Sequence, residues 1–207
     1  LGVGYAYNKN LNFYAEGGYS QPISDNPEKV DRYGFDDISF GVNTSPFYKN
    51  KYNFQISATS SITLPTSEVS RKASLNGSWS AGLVTATPLQ YGFRISTVHI
   101  ASLNSYTYET SNEMGTDYNY PYSVTNVLTT SWTKQKFYTS VSGSWSHLKN
   151  YAGTNINIQS LRAGLGYNLP KNMRAEVFGR WRDRVLTNDS AFDDDKTYYG
   201  MILTVSI

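Results

Sequence analysis

Along the stretch Thr197 to Ile207 (TYYGMILTVSI) every second side chain is apolar: Tyr199, Met201, Leu203, Val205 and Ile207. Side chains of a β-strand alternate between its two faces, so this pattern makes one face apolar to the last residue. In a water-soluble sheet such a strand would set free backbone N–H and C=O groups beside a greasy face, which invites edge-to-edge aggregation. The pattern suits instead the closing strand of a barrel whose outer face meets hydrocarbon.

The same period recurs through the chain. In Tyr52 to Leu64 (YNFQISATSSITL), Tyr52, Phe54, Ile56, Ala58, Ile62 and Leu64 share one face, while Asn53, Gln55, Ser57, Thr59, Ser61 and Thr63 share the other. No helical stripe at i, i+3, i+4 competes with it. Reading by period predicts strands over 1–7, 11–20, 37–46, 52–64, 73–87, 91–103, 122–133, 137–148, 156–169, 173–184 and 197–207. Their connections alternate in size. Asn8 to Asn10, Phe47 to Lys51, Pro88 to Gln90, Lys134 to Lys136 and Pro170 to Asn172 are short. The segments 21–36, 65–72, 104–121, 149–155 and 185–196 are long.

Composition removes the competing classes. The 207 residues carry a net charge of +2 and no run of 18 apolar residues, so no transmembrane helix is expected. The 18 Tyr, 9 Phe and 4 Trp exclude disorder, which is poor in aromatics. With no Cys there is neither a disulfide framework nor a thiolate site. No Lys/Arg-rich run stands out, which argues against nucleic acid. Leu1 opens no secretion signal, so a mature or trimmed form is expected.

Strand length and aromatic placement decide between a soluble and a membrane barrel. Several predicted strands exceed the usual ~5–6 residues of soluble sheets and match tilted membrane-spanning strands of ~9–11 with overhang. Tyr5, Tyr7, Phe13, Tyr52, Phe54, Tyr91, Phe93, Phe137 and Tyr167 fall near short turns. Tyr19, Tyr122, Trp145, Trp181 and Tyr199 fall near the long loops. Two belts are expected where amphipathic rings sit at two membrane interfaces.

With short turns on one side and long loops on the other, the chain resembles bacterial outer-membrane β-barrels over its whole length. The resemblance implies an all-β, antiparallel up-and-down transmembrane barrel as a single domain over 1–207, in the outer membrane of a Gram-negative cell. Outer-membrane lipids and lipopolysaccharide are the implied partners. Members of that class usually end in Phe or Trp, whereas this chain ends in Ile207. Single-chain bacterial barrels also have even strand numbers, so the eleven predicted strands point to about twelve, with one preceding Leu1; ten with a misread segment is the alternative.

If the apolar alternates face lipid, the others face the lumen. Parity then places Arg94, Arg162, Arg174, Arg180, Arg182, Glu16 and Glu176 inside as pore-lining residues, with a cationic strip where the strands of Arg162 and of Arg174 to Arg182 lie adjacent. Guanidinium forks suit carboxylate and phosphate, and a like-signed strip selects ions by sign. The expected function is a narrow passive channel for small anionic or polar solutes. The strip is similar to that of small twelve-stranded channels for acidic sugars. The alternative is a structural or adhesive barrel with partner-binding loops, its lumen filled by an Arg–Glu network.

An outer-membrane lipid hydrolase is the second alternative. It would need a histidine activating a serine. His99 is followed two residues later by Ala101 and His147 by Lys149, so neither makes the His-x-Ser pattern and no catalytic residue is assigned. Asp193 to Asp195, with Asp189 and Asn188, lack the Gly and closing Glu of a calcium loop of the EF-hand kind, so no metal site and no cofactor are expected. The loop 104–121 is Tyr-, Asn- and acid-rich, and either folds inward or stands outside as a binding surface.

Overall fold

The structure, a computed structural model, describes residues 2–20, 34–110, 119–169, 173–184 and 197–205. One large sheet dominates. Its strands are β1 (Gly2–Asn8), β2 (Leu11–Glu16), β5 (Ile38–Thr44), β7 (Gln55–Leu64), β8 (Leu75–Pro88), β9 (Phe93–Tyr106), β10 (Tyr122–Lys134), β11 (Phe137–Lys149), β12 (Asn155–Leu169), β13 (Met173–Arg184) and β14 (Thr197–Val205). They are joined in simple sequence order, each antiparallel to the next. A twelfth strand, β6 (Tyr48–Lys49), pairs with β7 inside a turn. A separate hairpin joins β3 (Tyr19–Ser20) to β4 (Gly34–Phe35).

Each strand predicted from period two is present, and the up-and-down antiparallel order is as expected. Three details differ. Gly17 and Gly18 end β2 early, leaving Tyr19 to the small hairpin. Tyr52 and Phe54 precede β7, in a turn organised by Asn50, whose Oδ1 accepts from the amides of Tyr52 and Phe54. In the predicted loop 65–72 lies a short helix, α1 (Glu68–Lys72), capped by the Ser67 side chain accepting from the Ser70 amide. β6 brings the large sheet to twelve strands, but it lies off the ordered path of eleven. The path itself has an odd number of strands, so β1 and β14 run in the same direction, and no pairing joins them among the described residues.

The sheet has two unlike faces, and its burial is the reverse of a soluble sandwich. Ala86 is the one buried hydrophobic side chain among the described residues. Leu128, Val141, Leu165 and Val177 are each more than half exposed on one face, while Ser140 and Glu176 are buried on the other. The polar face is knitted by cross-strand hydroxyl pairs, Ser80 with Ser102, Thr125 with Ser146, and Ser144 with Ser160, at 2.6–2.9 Å. Most of the aromatics expected in two belts are exposed; Phe54 and Trp181 are half-buried. Tyr5, Tyr7, Phe13, Tyr52, Tyr91, Phe93, Phe137 and Tyr167 stand exposed towards the short turns, and Tyr19, Tyr122, Trp145 and Tyr199 towards the long connections. Among the described residues no helix is long and apolar enough to cross a membrane, which says nothing of strands.

The connections 65–72 and 104–121 are tied down in their described parts. Asp37 accepts from the Ser67 amide at 2.8 Å and from the Ser70 hydroxyl, fixing α1 to the start of β5. Burial pushes the Asp37 carboxyl up, but the hydrogen bonds from Ser70, Ser67 and Thr66 outweigh it and hold the group below its ordinary value of 3.8. Buried Asn119 bridges further: its side-chain amide donates to the carbonyls of Ala73 and Tyr108, each at 2.9 Å. Part of the Tyr- and Asn-rich loop is thus ordered, while its 111–118 portion, the acidic run Asp193 to Asp195 and Ile207 lie outside the described residues.

Candidate functional site

Strand order brings β11, β12 and β13 side by side, and their register decides which predicted residues meet. Gly166 lies opposite Glu176, Gly164 opposite Phe178, and Arg162 opposite Arg180. On the next strand Tyr138 pairs with Gly166 and Ser140 with Gly164. Glycine at 164 and 166 and serine at 140 leave the polar face low there, so the long side chains of β13 lie down across it. A Cβ at Gly164 would collide with Glu176 Oε1. Gly200 on β14 does the same service for Phe178, whose Cζ comes within 2.6 Å of where its Cβ would stand.

Into this depression the Glu176 carboxylate inserts between two arginines. Arg162 Nη2 donates to Oε1 at 2.6 Å and Arg174 Nη2 to Oε2 at 3.0 Å. Each guanidinium also stacks on a ring. Arg162 Cζ is 4.4 Å from the Phe178 centroid and Arg174 Cζ 3.5 Å from that of Tyr138. Cation–π stacking fixes the plane of each fork, and the carboxylate fixes its direction. Arg174 Nε is buried with no hydrogen-bond partner, so this fork keeps one unused donor beside the carboxylate. Two cations on one anion leave the cluster with a net positive charge. Arrays of this kind bind a second anion or hold the wall rigid.

Arg162 and the arginines of β13 fall on adjacent strands, and the other predicted lining residues, Arg94 and Glu16, lie apart from them. Arg162, Arg174 and Glu176 are brought together. Arg180, about 20 Å along β13 from Arg174 at ~3.3 Å per residue, lies directly opposite Arg162, and Arg182 lies further along, about 26 Å from Arg174. Arg182 is opposite Ser160. Arg94 stands exposed at the start of β9, opposite Ser131, away from the cluster. Glu16 is exposed at the end of β2, opposite Ser39, and lines a 370 Å³ hollow with Gly4, Tyr14 and Asn43. Sequence reasoning missed Tyr138, Ser140, Gly164 and Phe178. Parity puts all four on the polar face, but only register shows that they surround Glu176.

The histidines lie on the opposite, apolar face. His99 Nδ1 meets Asn126 Oδ1 at 2.7 Å and its Nε2 meets Thr97 Oγ1 at 3.2 Å. His147 Nδ1 meets Asn157 Oδ1 at 2.8 Å. The hydroxyl within reach of His99 is a threonine, itself bonded to Thr85 at 2.7 Å. Among the described residues no group of three or more His, Cys, Asp or Glu is placed to hold a metal.

A family model described as "Putative MetA-pathway of phenol degradation" matches residues 3–185, from β1 through β13. No curated protein matches the chain.

Proposed function

The chain belongs to this phenol-degradation family, and from that premise we propose that it is an outer-membrane β-barrel forming a narrow passive channel for small anionic or polar solutes. The observation that carries the proposal is the inverted sheet: long strands, exposed apolar side chains on one face and a hydroxyl-rich, arginine-bearing polar face on the other. An exposed apolar surface running across many adjacent strands needs cover, and hydrocarbon covers it while antiparallel pairing satisfies the backbone. The polar face then lines the lumen. There Arg94, Arg162, Arg174, Arg180 and Arg182 outnumber Glu16 and Glu176, which favours anions. Phenols, to which the family's description refers, are small polar aromatics and fall within the solute class.

Planar-bilayer recording under a salt gradient tests this. Unitary currents with anion preference are expected, reduced in the Arg174→Ala, Arg180→Ala double variant. Absence of unitary currents, or a cation preference, overturns the channel.

A second reading, a structural or adhesive barrel with a filled lumen, draws on the Arg162–Glu176–Arg174 cluster and the rings of Tyr138 and Phe178 lying against it. Side-chain networks of this kind close small barrels. In that case the same bilayers stay silent, and the ordered long connections around Asp37 and Asn119 carry the partner contacts.

A further inference from the structure

The topology sorts the charges of this chain by edge. Because neighbouring strands in the large sheet are antiparallel, the described short turns 9–10, 45–54, 89–92 and 135–136 all emerge at one edge. In or beside them stand Lys9, Lys49, Lys51, Lys134 and Lys136, with no Asp or Glu among these turns. The acidic residues lie elsewhere. Glu16 and Glu176 are on the polar face, and Asp36, Asp37, Glu68 and Glu109, among the described residues, are at the opposite edge. All five lysines are exposed, and none pairs with a carboxylate among the described residues.

Aromatic side chains interleave with these lysines. Tyr7, Tyr48, Tyr52, Tyr91 and Phe137 are exposed at the same edge. Lys51 Nζ lies 5.0 Å from the centroid of the Tyr52 ring. Rings with one apolar and one wet end settle at the boundary between hydrocarbon and headgroups, and lysine stems reach past them to place ammonium groups at the phosphate level. An ammonium is a compact point charge that accepts phosphate from many directions, as mobile headgroups require. Glu176, near this end of β13, is already held by Arg162 and Arg174 and so does not offset the attraction.

We propose that the short-turn edge is a collar that binds anionic phospholipid headgroups, through Lys49, Lys51, Lys134 and Lys136 in particular. The lysines are spread over separate turns, two in 45–54 and two in or beside 135–136, with none at 89–92 between them. Lipids engage each turn independently, whereas a compact acidic protein would need them gathered in one patch. The collar rests on the membrane reading above but not on whether the lumen conducts.

The test is spin-label electron paramagnetic resonance of the folded protein in phosphatidylcholine vesicles, probed with trace spin-labelled phosphatidylglycerol or phosphatidylcholine. The wild type is compared with K49Q/K51Q/K134Q/K136Q, each shown folded by its β-sheet circular dichroism and heat-modifiable gel mobility. For the wild type at low salt, the motionally restricted fraction should favour phosphatidylglycerol about twofold or more, falling to parity in the variant and in high salt. Equal restriction of both lipids by the wild type, or a preference kept by the variant, overturns the collar alone. So does parity between lipids with lysine-dependent capture of a soluble polyglutamate peptide, which would assign the edge to an acidic protein. No restricted component for either lipid overturns the membrane reading, and the collar with it.

Discussion

Replacing Glu176 by Gln removes one charge and keeps the shape, so it isolates what the carboxylate does between its two arginines. At an effective dielectric of about 20, charges at the observed 2.6 and 3.0 Å attract by roughly 6 kcal/mol per pair, most of it offset by the cost of taking the groups out of water. The side chains of Arg162 and Arg174 remain 26% and 33% exposed, so water can return to them when the carboxylate is lost. Glu176 is the buried member at 8% exposure, and the glutamine carbonyl still accepts one of the two hydrogen bonds. A charged hydrogen bond contributes about 1.5–3 kcal/mol net, and partial exposure lowers this, so a loss of about 1–2 kcal/mol is expected. Urea titration of the folded protein in lipid vesicles measures it. The same substitution leaves two uncompensated cations on the proposed lumen wall. The reversal potential under a salt gradient should therefore move further towards that of the anion. An unchanged unfolding midpoint together with an unchanged reversal potential would refute the pairing and its lumenal position at once.

Facing is tested by a neighbouring pair on β10. Leu128→Lys, on the apolar face and 54% exposed, should cost about 2–4 kcal/mol in the same titration if that face meets hydrocarbon, and Thr129→Lys much less; equal costs would reverse or abolish the assignment. Asp37 is held below its ordinary 3.8 in the folded chain, so it stabilises the α1 attachment above that pH, and the contribution is lost as the pH falls through 3.8 towards the lower folded value. Hydrogen exchange at the Ser67 amide should accelerate beyond its intrinsic pH dependence in that acid window, and Asp37→Ala should show the faster exchange already at neutral pH. No difference between the two proteins at neutral pH would show that Asp37 does not hold the helix.

Much of the fold was legible because period two is a local property of extended backbone. The polar and apolar alternates of Ser57 to Leu64 or Ser140 to Trp145 needed no partner strand to be assigned to opposite faces. What escaped the sequence was set by interruptions and by register. Gly17 and Gly18 end β2 where alternation alone ran on to Ser20, and Tyr52 and Phe54 continue the alternation of β7 although the Asn50 side chain draws them into a turn. The helix 68–72 sits in a stretch too short for a hydrophobic period to declare it.

The candidate site divides along the same line. Parity alone put Arg162, Arg174 and Glu176 on one face, because each residue's face is fixed by its own strand. That Glu176 joins those two arginines, while Arg180 faces Arg162 across the strands, Arg182 lies further along and Arg94 several strands away, was decided by the offset between β12 and β13 and by glycines on the facing strands. Likewise the lysines were visible in the sequence, but their gathering in or beside turns that hold no Asp or Glu, among the described residues, became a property of one edge only once all neighbouring strands proved antiparallel. Alternation is written into each segment by backbone geometry; contacts between segments depend on cross-strand register, which no single segment contains.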